Sequence, residues 1–126
     1  MYLIDTHIAL WWLAGDKRLG PRTIELLNSE ECLLSAVSLW EVEIKHSIGK
    51  LPCSAFDLKL EMTDAGTSIL PIYDRHICLL DKIITDHNDP FDRLLLATAL
   101  SEGTKFVTAD SQLLKVRSLP IIDASD

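Results

Sequence analysis

The feature that most constrains the fold is a regular alternation of short apolar runs with segments that carry helix signals. The apolar runs cover residues 2–4, 32–37, 68–72 and 105–108, and residues 119–122 form a weaker fifth run. Each run has the length of a buried strand, and the segments between them are long enough for helical crossovers. The alternation therefore predicts an α/β fold with a mainly parallel sheet of four to five strands, covered by helices on both faces.

Capping residues and helix breakers mark the ends of the predicted helices. Gly15, Gly49 and Gly66 are placed to end helices, Pro21 to begin one, and Ser54 to cap another. The predicted helices cover residues 6–14, 21–27, 38–48, 55–65 and 74–84. A short helical turn is expected over residues 111–115, before the last strand.

Residues 88–99 hold the clearest helix start in the chain. Pro90 suits the first turn of a helix, where its missing N–H costs nothing, and Asp89 can cap that turn. Asp92 then lies near the positive end of the helix dipole. The apolar run over residues 94–100 predicts a helix that is buried on most sides, with an acid at its mouth.

Four acidic residues are predicted to meet at one edge of the sheet. Asp5 and Asp110 each follow a strand, Glu41 follows the second strand by about one helical turn, and Asp92 opens the helix that leads into the fourth strand. Ligands of open parallel sheets bind beyond the carboxyl ends of the strands. Two carboxylates roughly 5 Å apart repel by about 3 kcal/mol at an effective dielectric of 20. A divalent cation with oxygen ligands, Mg²⁺ or Mn²⁺, would relieve that repulsion.

The composition limits the partners of the chain. Its 126 residues predict one domain, and its net charge of −7 argues against a general affinity for phosphate backbones. A bound metal ion can still supply local positive charge. The sequence contains no Ser/His/Asp or Cys/His nucleophile set and no GxxxxGK phosphate loop.

The cysteine pattern and hydropathy indicate a cytoplasmic protein. Cys32, Cys53 and Cys78 are odd in number and form no CxxC motif, so reduced thiols are expected. No apolar run is long enough to span a bilayer, and no signal peptide is evident.

Four stretches of the sequence resemble the acidic motifs of PIN domains. They are residues 3–7, 35–41, 87–93 and 107–110, which read LIDTH, SAVSLWE, HNDPFDR and VTAD. In detail they are similar to the VapC ribonuclease toxins of type II toxin–antitoxin systems, and the likeness covers nearly the whole chain in order. The resemblance implies a PIN-like three-layer α/β/α sandwich, with residues 1–126 forming a single PIN domain.

The resemblance also implies a function and a set of partners. The expected activity is endonucleolytic cleavage of RNA with Mg²⁺ or Mn²⁺ held by the four acids. A homodimer and a small antitoxin whose tail blocks the acidic groove are expected as well. By the same resemblance, Thr6 and Thr108 flank the metal site as hydroxyl partners. Each of the site residues is present in this sequence: Asp5, Glu41, Asp92 and Asp110.

Three further residues near the predicted site have open roles. Arg93 can orient Asp92, contact a phosphate or form an ordinary ion pair. His7 and His87 are interpreted as substrate-side or structural groups, since their spacing matches no zinc motif.

Each acid also has a purely structural interpretation. Ser38 and Glu41 have the spacing of a capping box, Asp92 can be a first-turn acid favoured by the dipole, and Asp110 can be a helix cap. Asp5 is harder to explain in this way, because an acid directly after a buried strand needs a partner.

The tryptophans and a small basic group have two interpretations each. Trp11, Trp12 and Trp40 can be core or interface anchors, or can stack on bases, and residues 10–13 are a candidate dimer or antitoxin surface. A small basic group consists of Lys45, His46 and Lys50. It is expected at a solvated helix end, and contact with the RNA backbone is the alternative interpretation.

Other function classes fit the sequence less well. A phosphohydrolase of the haloacid dehalogenase type would want a second Asp two residues after Asp5, where His7 stands. A receiver-like module would want an acid pair and a late lysine, and neither is evident. A PIN-like module that binds RNA or a protein partner without catalysis remains the main alternative.

Overall fold

The computed structural model describes residues 1–126, which form five strands and six α-helices. The strands are β1 (Tyr2–Ile4), β2 (Cys32–Ser35), β3 (Ser68–Leu70), β4 (Lys105–Thr108) and β5 (Ile121–Asp123). The helices are α1 (Thr6–Ala14), α2 (Pro21–Ser29), α3 (Ala36–Ser47), α4 (Ala55–Asp64), α5 (Asp74–Ile77) and α6 (Pro90–Glu102). Short 3₁₀ turns cover Leu80–Lys82 and Leu113–Lys115.

The five strands form one parallel sheet in the order β3-β2-β1-β4-β5. Side chains alternate between its two faces, as the period of two in a strand requires. Leu3 and Phe106 point into a core with α6, whereas Ile4 and Val107 point into a second core with α1, α2 and α4. Helices therefore cover both faces, which confirms the three-layer α/β prediction.

Several helices begin or end at the capping residues that the sequence predicts. Gly15 ends α1 with a φ of 63°, a left-handed conformation that favours glycine. Ser54 caps α4 by accepting a hydrogen bond from the Asp57 N–H, and Asp89 caps α6 by accepting one from the Asp92 N–H. Pro90 occupies the first turn of α6.

The start of α3 differs from the sequence prediction. The helix begins at Ala36 rather than Ser38, because the Ser35 side chain caps it by accepting a hydrogen bond from the Val37 N–H. Ser38 is therefore inside the helix and fully buried. The capping-box interpretation of Ser38 and Glu41 is wrong, and Glu41 projects from the second turn of α3.

The helix predicted over residues 74–84 is interrupted. It is helical only as α5 and the 3₁₀ turn that follows. The Arg93 guanidinium donates long hydrogen bonds of 3.4 Å to the carbonyl oxygens of Leu80 and Ile83. These contacts hold the segment in a shape that leads directly to the start of α6.

None of the helices combines the length and the apolar character that crossing a bilayer requires. All three cysteines are free thiols.

Candidate metal centre

The acidic residues converge at the carboxyl edge of the sheet. β2, β1 and β4 are adjacent and parallel, so the residues that follow them share one edge. Asp5 follows β1, Glu41 lies on the helix after β2, and Asp110 follows β4. α6 begins at the same edge, since a carboxylate oxygen of its Asp92 lies within 4.8 Å of one of Asp110. The structure thus brings the four predicted residues to one crevice.

Asp5 is the most buried member of the group, with only 3% of its surface exposed. The Thr108 hydroxyl donates a 2.7 Å hydrogen bond to Asp5 Oδ2, but Asp5 Oδ1 is buried without any partner. Burial raises the pKa of Asp5 to about 6, and the negative charge of Asp92 adds to the effect. The second oxygen of this carboxylate therefore has no hydrogen-bond donor within the chain to balance its burial.

Glu41 is in a similar position on the facing helix, with 4% of its surface exposed. Lys45 lies one turn further along α3, and its ammonium group donates a 2.7 Å hydrogen bond to Glu41 Oε2. Glu41 Oε1 is buried and has no partner. One oxygen of the Glu41 carboxylate is therefore paired, whereas the other is buried without a hydrogen-bond partner.

Asp92 is paired with a histidine from the loop before α6. Its Oδ2 lies 2.6 Å from His87 Nε2. Burial raises the pKa of Asp92, and the charges of Asp89 and Glu41 add to this, while the hydrogen bond with His87 opposes it. That same hydrogen bond raises the pKa of His87. One ligand atom from each of His87, Asp92 and Asp110 lies within 4.8 Å of the others.

Asp110 is held in place by the backbone that follows it. Its Oδ1 accepts hydrogen bonds from the N–H groups of Gln112, at 2.8 Å, and Leu113, at 3.3 Å. Its own N–H donates to the Thr108 hydroxyl, which in turn donates to Asp5. Thr108 therefore links two of the acids, which fits the hydroxyl role that the resemblance implies.

A cavity of about 220 Å³ opens beside Asp5 and Asp110. Its other lining residues are His7, Trp11 and Ala109. His7 is exposed, and its proximity lowers the pKa of Asp5. This histidine therefore lines the solvent-facing side of the cavity beside Asp5 and Asp110.

Thr6 and Arg93 have structural contacts. The buried Thr6 hydroxyl donates a 2.8 Å hydrogen bond to the Ser38 hydroxyl, which fixes α1 against α3 and so fixes Asp5 relative to Glu41. Arg93 makes no ion pair with any acid. Its hydrogen bonds to Leu80 and Ile83 stabilise the segment that precedes α6.

The basic residues of α3 separate into different roles. Lys45 belongs to the acidic crevice through Glu41, whereas His46 Nδ1 contacts the Leu51 carbonyl oxygen and Lys50 is exposed. The contact of Lys45 with the site was not predicted, although the Glu-to-Lys spacing of four residues on a helix indicates such a pair.

The tryptophans are not equivalent. Trp11 and Trp12 are half-buried against the second core, and the guanidinium carbon of Arg18 lies 4.1 Å from the ring centre of Trp11. Trp40 is mostly exposed and meets Phe91 edge-on, with ring centres 5.0 Å apart. Trp40 therefore has a larger free surface than the pair on α1.

The donor set of the crevice fits a divalent cation. It offers oxygen ligands from several carboxylates, which is what Mg²⁺ and Mn²⁺ accept. The buried oxygens of Asp5 and Glu41 that lack partners are costly unless a positive charge meets them. Raised pKa values in a cluster of acids at a cleft are also typical of functional sites.

Residues 2–119 match the PIN domain family, and the chain belongs to that family. It is similar to Ribonuclease VapC22 of Mycobacterium tuberculosis, with 28% identity over 116 residues, which is 88% of each chain.

Solved structures with the same fold are toxin–antitoxin complexes. One is VapBC2 from Rickettsia felis bound to a DNA fragment from its promoter, with a TM-score of 0.70, 14% identity and 97% of each chain covered. Another is DNA-bound VapBC from Salmonella typhimurium, with a TM-score of 0.66 and 17% identity, covering 97% of this chain and 96% of that one. These matches confirm the PIN-like fold that the motifs indicate.

Proposed function

We propose that the protein is a metal-dependent endoribonuclease and the toxin of a type II toxin–antitoxin pair, with residues 1–126 forming one catalytic domain. Membership of the PIN family and the similarity to Ribonuclease VapC22 support the activity. The proposed reaction is hydrolysis of RNA phosphodiester bonds at the acidic crevice. The proposed metal ligands are Asp5, Glu41, Asp92 and Asp110.

The observation that carries the proposal is the pair of buried carboxylate oxygens without partners, Asp5 Oδ1 and Glu41 Oε1. A helix cap or a structural ion pair would use such oxygens. Here the cap of α1 makes no side-chain hydrogen bond, and Lys45 satisfies only one oxygen of Glu41. A cation bound in the crevice would supply the positive charge that these carboxylates lack.

When bound, Mg²⁺ or Mn²⁺ supplies an activated water and neutralises charge that develops on the phosphate. The chain supplies the positioning. Thr108 holds the Asp5 carboxylate and the backbone of Asp110 through one hydroxyl group. Asp110 is fixed further by two backbone N–H groups.

Two basic groups help to arrange the acids. Lys45 holds one oxygen of Glu41, and His87 holds one oxygen of Asp92. Each leaves the second oxygen of its carboxylate free to serve as a ligand. A proton from the attacking water needs an acceptor, and Glu41 and Asp110 are both candidates for that role.

A protein partner is supported by exposed apolar side chains on α3, directly after it and on α4. These are Trp40, Ile48 and Phe56, which each expose more than half of their surface, and exposed apolar surface is typical of interaction sites. We propose a cognate antitoxin as one partner and a second copy of the chain as another. The structural neighbours are toxin–antitoxin complexes, which supports the first of these. The proposed place of action is the cytoplasm, where RNA is the substrate.

The decisive experiment compares the wild-type protein with Asp5→Asn on single-stranded RNA, with Mg²⁺, with Mn²⁺ and with EDTA. The Asn side chain can still accept the hydrogen bond from Thr108, so the fold is retained. Loss of one metal ligand is expected to slow cleavage by at least about a hundredfold, since a metal ion contributes several kcal/mol to such a reaction.

Glu102→Gln serves as the control, because Glu102 lies at the far end of α6. It should keep the wild-type cleavage rate. Equal cleavage by wild-type protein and Asp5→Asn would contradict the proposal. If no RNA is cut with either metal but RNA or a partner protein binds tightly, the protein is a binding module instead.

A further inference from the structure

A second cavity, of about 290 Å³, lies between two segments that border the acidic crevice. One segment precedes α6 and the other follows β4. The lining residues are Ile84, Thr85, Asp86, Gln112, Lys115 and Val116. The volume is close to the lower limit of small-molecule pockets in proteins, ~300 Å³.

Hydrogen bonds connect both walls of this cavity to the proposed metal ligands. The Thr85 hydroxyl accepts a 3.1 Å hydrogen bond from the N–H of His87, the residue that contacts Asp92. On the other wall, the Gln112 N–H donates to Asp110. A ligand in the cavity therefore lies beside the crevice, on the same edge of the sheet.

The polar groups of the cavity are available to a ligand. Lys115 and Asp86 form no ion pair, and the side-chain amide of Gln112 makes no hydrogen bond within the chain. Ile84 is 84% exposed, so the lining also offers an accessible apolar side chain. An ammonium group, a carboxylate, an amide and an apolar face are thus grouped around one space.

This combination matches the parts of a nucleotide. An ammonium group attracts a phosphate, and an apolar side chain covers the face of a base. A carboxylate accepts hydrogen bonds from the amino group of a base, and an amide can donate and accept. Inorganic phosphate alone is a poorer match, because Asp86 repels it.

We propose that this cavity binds one unpaired nucleotide of the RNA strand, next to the bond that is cut. Lys115 contacts the phosphate, and Asp86 favours a base with an exocyclic amino group over uracil. The inference depends on the proposed function for its substrate class. It assigns the sequence preference of the enzyme to a site outside the four acids.

The first test measures binding of labelled single-stranded RNA to Asp5→Asn protein by fluorescence anisotropy at several salt concentrations. Adding Lys115→Ala should weaken binding about fivefold and reduce the slope of log K against log salt by about 0.7, the value for one phosphate contact to a single strand. Lys105→Ala is the matched control, because Lys105 begins β4 at the opposite edge of the sheet. It should change neither quantity.

The second test maps the cut sites of the otherwise wild-type enzyme in RNA with a randomised stretch. Asp86→Ala should reduce the preference for an amino-bearing base at one flanking position by about tenfold. Glu25→Ala removes the same charge beside Tyr2, at the amino end of β1, and should leave the preference unchanged.

The outcomes separate this inference from the proposed function. If RNA is cut in a metal-dependent way but Lys115→Ala behaves like Lys105→Ala and Asp86→Ala keeps the preference, the inference is wrong and the proposed function stands. If no RNA is cut but binding depends on Lys115, the nucleotide site stands and the hydrolytic function is wrong. If the salt slope does not change, the phosphate contact is absent.

Discussion

Each end of α6 carries a carboxylate next to a histidine, but the pKa values of the two carboxylates are shifted in opposite directions. At the start of the helix, Asp92 lies 2.6 Å from His87, and at its end Glu102 lies 3.0 Å from His76. The pKa of Asp92 is raised by burial and by neighbouring acids. The pKa of Glu102 is lowered, because it accepts hydrogen bonds from Arg75 and His76.

Charge balance explains the difference. Glu102 has one guanidinium and one imidazole as partners, and the Arg75 group also lies 4.2 Å from the ring centre of Tyr73. The fully buried His76 uses both ring nitrogens, since Nδ1 accepts from the Tyr73 N–H and Nε2 donates to Glu102. The start of the helix has more acids than bases. A satisfied cluster stabilises the fold, whereas an unsatisfied one marks a place for a ligand.

Metal binding should produce the largest contrast between the two ends. Mn²⁺ at a hundredfold excess over its Kd should raise the free energy of unfolding of the wild-type protein by about 3 kcal/mol. Glu102→Ala should show the same Mn²⁺-induced increase, starting from a lower free energy of unfolding without metal. Asp5→Asn should show little increase on addition of Mn²⁺. Chemical denaturation with and without Mn²⁺ measures this. An equal increase in Asp5→Asn would place the ion elsewhere.

Removal of the Glu102 carboxylate, which is paired with Arg75 and His76, should have the next largest effect on stability. Glu102→Ala leaves the buried Nε2–H of His76 without an acceptor and should lower the free energy of unfolding by about 2 kcal/mol. Thermal or urea denaturation without metal measures the loss. Glu61→Ala, at an exposed position of α4, is the control and should change stability by less than about 0.5 kcal/mol. If the two variants are equally stable, the Glu102 cluster is not structural.

The two ends should also differ in pH dependence without metal. Asp5 has a folded-state pKa of about 6 against an ordinary value of 3.8, so the native state takes up a proton first as the pH falls. Between pH 7 and pH 5 this should stabilise the fold by about 1 kcal/mol. The pKa of Glu102 is lowered, so its contribution to the stability of the fold is fully present above its ordinary pKa of 4.5. That contribution is lost only as the pH falls below this value.

Urea denaturation in EDTA at pH 7 and pH 5 tests whether acidification raises or lowers the free energy of unfolding. The pKa of His87 is also raised, and its protonation stabilises the fold in the same direction. The difference between wild-type protein and Asp5→Asn therefore isolates the carboxylate. A wild-type protein that gains no more stability on acidification than Asp5→Asn would contradict the raised pKa.

The smallest effect is expected from matched neutral replacements. Asp92→Asn relieves repulsion from Asp89 and Glu41 but weakens the hydrogen bond with His87, so stability without metal should stay the same or rise by less than about 1 kcal/mol. Glu102→Gln should be destabilised, because it weakens two charged hydrogen bonds. Differential scanning calorimetry gives both shifts. A large loss of stability in Asp92→Asn would indicate a structural role for that acid.

Much of the fold could be predicted because local signals act at the ends of the elements. Gly15, Ser54 and Asp89 occupy the ends that their chemistry favours. The start of α3 was misplaced because residues 33–37 are apolar apart from the capping Ser35, and such a run fits a buried strand as well as a buried helix. The break after α5 is accompanied by hydrogen bonds from Arg93 to Leu80 and Ile83, which no local pattern reveals.

The meeting of the four acids at one edge of the sheet could be predicted from the alternation of strands and helices, but their hydrogen-bond partners could not. Their metal-binding roles, which the motifs imply, stay a prediction. The hydrogen bond of Thr108 to Asp5 joins residues far apart in sequence, and spacing alone could not give it. The cavity beside the crevice was not predicted either, since Asp86 and Lys115 belong to separate loops.

The order of the strands has a consequence for how the protein is made. β1 lies between β2 and β4, and β4 is synthesised roughly a hundred residues after β1, together with Thr108 and Asp110. A nascent chain that stalls before residue 105 has neither the strand that completes the sheet around β1 nor the last carboxylate. Under the proposed function, a nascent chain shorter than this cannot assemble the acidic crevice, and we expect it not to cut RNA.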